Sequence, residues 1–223
     1  VIEPIMSASS REIVGQPSAR LEQVERTLRR HLAQPWRYAP GEVQRAAFAR
    51  LDTFLATRPP GAPAWLDAGC GTGASTLALS EREPEAWLVG VDKSSDRLAR
   101  APQLPSRALL LRAELLDLWW LASERGLRFD RCWLLYPNPW PKPGQLPRRF
   151  HGHPVFPRLV QTCATLELRT NWKVYADEFA FALALLLERT IAVEPLHVEP
   201  GSELSPFERK YRASGHALWR VAT

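Results

Sequence analysis

The sequence predicts an α/β fold: a doubly wound, mostly parallel sheet of seven strands, closed by a C-terminal antiparallel hairpin and preceded by an N-terminal helical extension. Three observations predict it. Short apolar runs alternate with helix-period stretches from residue 64 onward; a glycine-rich turn, Gly69-Cys70-Gly71-Thr72-Gly73, follows the first of those runs; and a stiff segment, Arg58-Pro59-Pro60-Gly61-Ala62-Pro63, separates them from an all-helical preface. Strand–helix–strand alternation pairs strands in parallel through right-handed crossovers. The chain accordingly divides into an arm and helical extension over 1–63 and a sheet domain over 64–223.

Residues 1–17 lack periodicity and read as a mobile arm. From Ser18, an N-cap residue type, Leu21, Val24, Leu28 and Leu32 recur at helical spacing until Pro35, with Arg20, Arg26, Arg29 and Arg30 on the opposite face. A second helix spans about 41–57, with Val43, Ala47, Leu51 and Leu55 inward. These helices cap the sheet in this reading. Strands are predicted over 64–68, 87–92, 108–112, 129–136 and 168–175, with helices near 73–82, 94–101, 114–125, 154–166 and 177–190. Two further strands, 192–198 and 216–221, have no convincing helix between them and form the hairpin.

Of the 223 residues, 45 % are hydrophobic and 24 % charged, enough for a real core and too apolar for global disorder. The longest apolar run, 179–187, is about half of what a membrane-spanning helix needs. No charged-then-apolar leader opens the sequence, and Met6 is a candidate start. Three cysteines argue for a reducing compartment and against a disulfide framework, with Cys132 and Cys163 as core fillers. The expectation is a cytoplasmic protein. Of the 29 basic residues behind the net charge of +5, only Lys93, Lys142, Lys173 and Lys210 are lysine. Guanidinium groups chelate phosphates and stack on bases, which suits RNA, although a GC-rich coding bias produces the same excess.

The glycine turn is sharpened by its neighbours. The glycines run G-x-G-x-G, Asp67 stands two residues before the first, the next strand ends in Asp92, and the third leads into Glu114. An acid at the end of the second strand accepts hydrogen bonds from ribose hydroxyls. A nicotinamide site expects G-x-G-x-x-G, which this turn does not match. The set resembles the S-adenosylmethionine site of class I methyltransferases, which share a Rossmann-like sheet. The resemblance implies that Asp67, Gly69, Gly71, Gly73, Asp92, Glu114 and Asn138 bind that cofactor. It implies no metal.

The fourth strand runs into Tyr136-Pro137-Asn138-Pro139-Trp140-Pro141-Lys142, at the strand end where doubly wound sheets bind ligands. From Asn138 to Arg158 there are four basic residues, two histidines and no acid, a composition that suits a phosphate-binding lip as well as an ordinary solvated loop. Pro-Asn-Pro-Trp-Pro-Lys, the Arg148-Arg149 pair, Thr170-Asn171-Trp172 with Tyr175-Ala176-Asp177, and Phe207-Glu208-Arg209-Lys210 with Gly215-His216-Ala217-Leu218-Trp219 follow in order. Together they resemble the bacterial tRNA (guanine-N7-)-methyltransferase family from about residue 64 to the C-terminus. That resemblance implies catalytic roles for Asn138 and Glu208. It implies contacts to a tRNA substrate from Lys142, Arg148, Arg149, Asn171, Ser205, Phe207, Glu208 and Arg209, in a monomer or homodimer that needs no membrane.

Departures accompany the match. The family has Asp where this chain has Asn138 and Asn171, His where it has Gln145, and Thr where it has Ser205. Methyl transfer to N7 uses a free lone pair, so catalysis rests on alignment and electrostatics rather than on a general base. Two lost acids imply altered substrate choice or slower chemistry. They leave open a divergent paralogue acting on another RNA or on an amino or amide nitrogen, as in Asn-Pro-Pro-Tyr methyltransferases, and a catalytically weakened RNA- or cofactor-binding module.

Overall fold

A computed structural model describes residues 10, 13, 16–34 and 36–223. The predicted arm over 1–17 falls largely outside them, as does the Pro35 stop. Two helices open the chain, α1 (Leu21–Ala33) and α2 (Glu42–Ala56). The sheet domain then runs β1 (Ala64–Ala68), α3 (Ala74–Arg82), β2 (Trp87–Asp92), α4 (Ser95–Leu98), β3 (Ala108–Arg112), α5 (Leu115–Arg125), β4 (Phe129–Leu135), α6 (Phe156–Gln161), β5 (Cys163–Thr170), α7 (Lys173–Leu187), β6 (Val193–Pro195), α8 (Pro206–Ala213) and β7 (Trp219–Ala222). Strand order is β3-β2-β1-β4-β5-β7-β6; β1 to β5 pair in parallel, and β7 is antiparallel to both β5 and β6.

The order reverses between β1 and β4, so their C-terminal loops leave the sheet side by side. Asp67 pairs with Trp133 and Ala68 with Leu134, which sets the 69–73 and 136–142 loops on strands about 4.8 Å apart. That is the topological switch point where open α/β sheets bind ligands. Every residue of β1 is buried, as a strand covered on both faces requires. Val24 and Leu28 of α1 and Ala47, Phe48 and Leu51 of α2 join the same core cluster as Leu66, Val89 and Leu134. The two helices thus cap the sheet, although Val43 is 79 % exposed rather than inward, and Leu32 is exposed as well.

Three further expectations need correction. The fifth strand lies at 163–170, ahead of the predicted 168–175, and α7 starts four residues earlier than predicted. Leu166 and Leu168 are inward there, while Glu167 and Arg169 between them find charged partners on neighbouring elements. A helix, α8, does stand between the last two strands; Ser205 caps it by accepting from the Glu208 N–H at 3.1 Å, and Pro206 occupies its first turn. Finally, Cys132 and Cys163 form a disulfide across β4 and β5, because their Cα atoms are brought to 5.8 Å. Cys70 is the free cysteine among the described residues, buried and with its thiol pKa pushed up by burial. No helix among the described residues is long and apolar enough to cross a membrane.

Candidate active site at the switch point

Gly69, Gly71 and Gly73 all adopt left-handed backbone, with φ of 85°, 59° and 80°. A Cβ at Gly69 or Gly71 would meet nothing within 4 Å, so the loop presents bare backbone to open space; at Gly73 it would press on Leu110 at 2.9 Å. Beneath the loop Asp67 is buried. Its Oδ2 accepts from Ser75 Oγ at 2.6 Å and Thr76 Oγ1 at 2.8 Å, while Oδ1 is buried without a partner. Burial pushes this carboxyl up to about 6 against the lowering pull of the two hydroxyls. An unpaired buried carboxylate oxygen is expensive unless a cationic or donor group completes it.

Asp92 ends β2, 5 % exposed, with Oδ2 accepting from the Gly71 N–H at 3.0 Å and Oδ1 from the Ser94 N–H at 2.8 Å. One bond to each oxygen leaves each able to accept another. Glu114 stands at the position just before α5, half-exposed, with Lys93 Nζ 3.7 Å from its carboxylate. Its backbone N–H donates to Gln44 Oε1 of α2 at 3.1 Å, so the helical preface helps position this corner.

The loop after β4 is held in an unusual shape. Tyr136 and Trp140 have φ of 52° and 44°, left-handed conformations that cost a non-glycine residue about 1–3 kcal/mol and persist only when their surroundings enforce them. At the front, the Tyr136 N–H donates to the Arg169 carbonyl at 2.8 Å and its hydroxyl donates to Glu208 Oε1 at 2.9 Å. At the back, the Trp140 carbonyl accepts from Arg149 Nε at 3.1 Å and Nη2 at 2.9 Å. Asn138 stands exposed between these anchors.

Both anchors end on buried carboxylates. Glu208 is fully buried and also accepts from Arg169 Nη1 at 3.1 and 3.2 Å and from the Leu204 N–H at 2.7 Å. Burial and this carboxylate push the Tyr136 pKa up, so its hydroxyl stays a donor. Arg149 is 4 % exposed and pairs with Glu178 of α7, which also takes His151 Nε2 at 3.1 Å and the Arg20 N–H of the preface at 3.1 Å. Burial pushes the Glu178 pKa up, but the His151 hydrogen bond and the Arg149 charge outweigh it and hold the group ionised. Burial also holds His151 below its usual pKa, so the ring is neutral and donates through Nε2.

The structure therefore reassigns several predicted site residues. Arg149 belongs to the interior and not to a phosphate lip, because Glu178 and the Trp140 carbonyl claim its donors. Glu208 is turned inward and not toward a guanine edge, since three donor groups, the Tyr136 hydroxyl, Arg169 Nη1 and the Leu204 N–H, already engage it inside the protein. Ser205 serves as a helix cap. Asn171 is 6 % exposed, and its Nδ2–H donates to His216 Nδ1 at 3.0 Å, while His216 Nε2–H donates to the Ser10 carbonyl at 3.2 Å. Asn171 is thereby committed to an internal hydrogen bond rather than to a substrate. Nothing in the protein accounts for Asn138 standing where the family pattern has Asp. Lys142, Arg148, Phe207 and Arg209 are exposed: the Arg148 guanidinium lies 4.7 Å from the Trp140 ring centroid, and Phe207, half exposed, stacks on Tyr211.

Tyr136, Arg169, Glu178 and His216 are the positioning residues the sequence reading missed. Glu178 carried a signal, an acid inside the apolar run of α7, and Ser205-Pro206-Phe207-Glu208 carried the capping-box spacing that marks α8.

Sheet order, glycine turn and paired acids at the switch point define the class I methyltransferases, which use S-adenosylmethionine. The fold agrees with the crystal structure of a 16S rRNA (adenine(1408)-N(1))-methyltransferase from Catenulisporales acidiphilia, with a TM-score of 0.54 at 16 % identity over 77 % of this chain and 89 % of that one. No family model matches the sequence. Relatives named tRNA (guanine-N(7)-)-methyltransferase do: one from Leifsonia xyli is 29 % identical over 172 residues, covering 71 % of this chain and 74 % of its own. One from a Nocardioides species is 30 % identical over 175 residues, covering 72 % and 67 %. The chain belongs to the tRNA (guanine-N(7)-)-methyltransferase family.

Proposed function

We propose that the protein transfers a methyl group from S-adenosylmethionine to guanine N7 in a tRNA. The observation that carries this reading is the juxtaposition at the switch point: a bare glycine loop over an incompletely bonded Asp67, next to a strained loop that holds Asn138 outward. The residues fit the cofactor. The unpartnered Asp67 oxygen suits its ammonium group, the spare acceptor capacity of Asp92 suits two ribose hydroxyls, and Glu114 flanks the place left for adenine. When bound, S-adenosylmethionine supplies an electrophilic methyl group on a sulfonium.

The protein's own task is then alignment, because N7 carries a free lone pair and no proton has to be removed. Tyr136 with Glu208 and Arg149 with Glu178 fix the two ends of the Asn138 loop, so the amide meets the base without a reordering cost. Exposed Phe207 offers a ring face for stacking, and Lys142, Arg148 and Arg209 supply cationic contacts for phosphates. Asn138 presents an acceptor and a donor where an acid would present charge alone, so it favours the cationic product less.

Incubation with labelled S-adenosylmethionine and total tRNA, followed by nucleoside digestion, tests the reading. Label in N7-methylguanosine is expected. Label on another nucleoside or in a non-RNA fraction overturns the N7 assignment, and cofactor binding without transfer supports a binding module instead. Asn138→Asp should raise turnover on tRNA if the chain is a detuned N7 enzyme; a lower rate shows that the amide serves a different acceptor.

A further inference from the structure

α1 presents three distinct stripes. Val24 and Leu28 are buried against the domain. Glu25 and Arg29, one turn apart, neutralise each other at 2.7 Å. The third stripe, Gln23, Arg26, Thr27 and Arg30, lines an open groove of about 360 Å³ whose far wall is Gly144, Leu146 and Pro147. Arg26 and Arg30 are exposed, and no carboxylate among the described residues lies within 4 Å of either. Their Cα atoms are about 6 Å apart along the helix axis.

The far wall belongs to the acid-free 138–158 stretch. Lys142 and Arg148, both exposed, flank that wall in the chain, and the Arg148 guanidinium lies over the Trp140 ring, two residues from Asn138. The two walls are tied together as well. The Arg20 N–H, at the start of α1, and Arg149, at the end of the far wall's 3-10 turn (Pro143–Arg148), both bond Glu178. The groove is therefore a fixed feature with two unpaired guanidinium groups, a short apolar floor at Leu146 and no acid in its lining.

We propose that this groove grips the sugar-phosphate backbone of the RNA whose guanine is presented at Asn138. The inference rests on the reading of the substrate as RNA. Guanidinium groups one helical turn apart, without internal partners, match successive phosphates by charge and by bidentate geometry. A free mononucleotide would not need the flanking Lys142 and Arg148, whereas a strand running to the site does. The burial of Arg149 makes the contribution of α1 necessary, because the lip alone keeps only Lys142, Arg148 and the more distant Arg158, which Glu124 engages at 2.7 Å.

The test compares the full chain with Arg26→Ala/Arg30→Ala, using purified tRNA as the probe over a range of salt concentrations. The double variant should bind tRNA roughly tenfold more weakly at low salt, and its plot of log affinity against log salt should flatten by about 1.5. KM for tRNA should rise with kcat and cofactor affinity unchanged, and Arg26→Lys/Arg30→Lys should recover most of the loss. Arg29→Ala, on the neutralised stripe, should behave as wild type. Wild-type affinity and slope in the alanine variant overturn the groove while leaving the RNA reading intact. No measurable RNA binding by the wild-type chain overturns both.

Discussion

Glu178 is the residue on which the loop geometry depends most, and its removal gives the sharpest test. In Glu178→Ala the Arg149 guanidinium, 4 % exposed, loses its counter-charge, and the His151 Nε2–H and the Arg20 N–H lose their acceptor. Breaking one side of a buried ion pair costs about 3–5 kcal/mol, because the surviving charge stays desolvated. Against a total stability of about 5–15 kcal/mol, that is a large share. For a chain of this length it corresponds to a fall in Tm on the order of 10 °C. Glu178→Gln keeps the shape and one acceptor and should lose about 1.5–3 kcal/mol, the worth of a hydrogen bond to a charged group. Urea titrations of both variants, and of Arg149→Met with and without Glu178→Ala, complete a double-mutant cycle. The double variant should be less destabilised than the sum of the singles by at least about 2 kcal/mol. Additive losses, or a Glu178→Ala chain as stable as wild type, would refute the claim that this pair holds the loop. If the pair does hold it, methyl transfer should fall in the double variant even where stability is recovered, since the Trp140 carbonyl has lost its tether.

Three further outcomes are expected. Asp92→Ala should weaken S-adenosylmethionine binding by about 1.5–3 kcal/mol in isothermal titration, and unchanged affinity would remove that acid from the cofactor site. Arg148→Ala should leave stability within about 0.5 kcal/mol while lowering tRNA affinity, and Arg149→Ala should do the reverse at first order; equal behaviour of the two would contradict their opposite burial. Burial, reinforced by the nearby His31, holds His153 down at about 4, so the unfolded chain takes up a proton first as pH falls. The His153 contribution to stability should therefore be lost between about pH 6.5 and pH 4, with His151 adding the same sign and the raised Asp67 carboxyl opposing it, and the urea midpoint of His153→Gln should fall less than that of wild type over that window.

Much of the fold was legible because it is written in local pattern. Apolar runs bounded by turns placed β1, β2, β3 and most of β4, and a period of 3.6 placed α1, α2, α3 and α5 close to their observed limits. The reading slipped where local pattern and tertiary partnership disagree. β5 carries Glu167 and Arg169, which look unlike a central strand until Arg220 of β7 and Glu208 of α8 are seen to neutralise them. α8 is too polar and short to declare itself by periodicity. The pairing of Cys132 with Cys163 depends on strand adjacency, which no residue count supplies.

By itself the sequence determined the strand–helix alternation, the glycine turn with Asp67 just ahead of it and the loop carrying Asn138, since each depends on neighbours only a few residues apart. Tertiary structure decided which charges are available. The 138–158 stretch has no acid in sequence, yet α7 delivers Glu178 to it and takes Arg149 out of solvent. The tail motif supplies Glu208, yet Tyr136, Arg169 and Leu204 consume it, and His216 turns Asn171 into an internal donor. Burial makes an unpaired charge costly, so folding pairs groups that lie far apart in the chain. What is left unpaired at the surface, Arg26, Arg30, Lys142 and Arg148 among them, is known only once that pairing is complete.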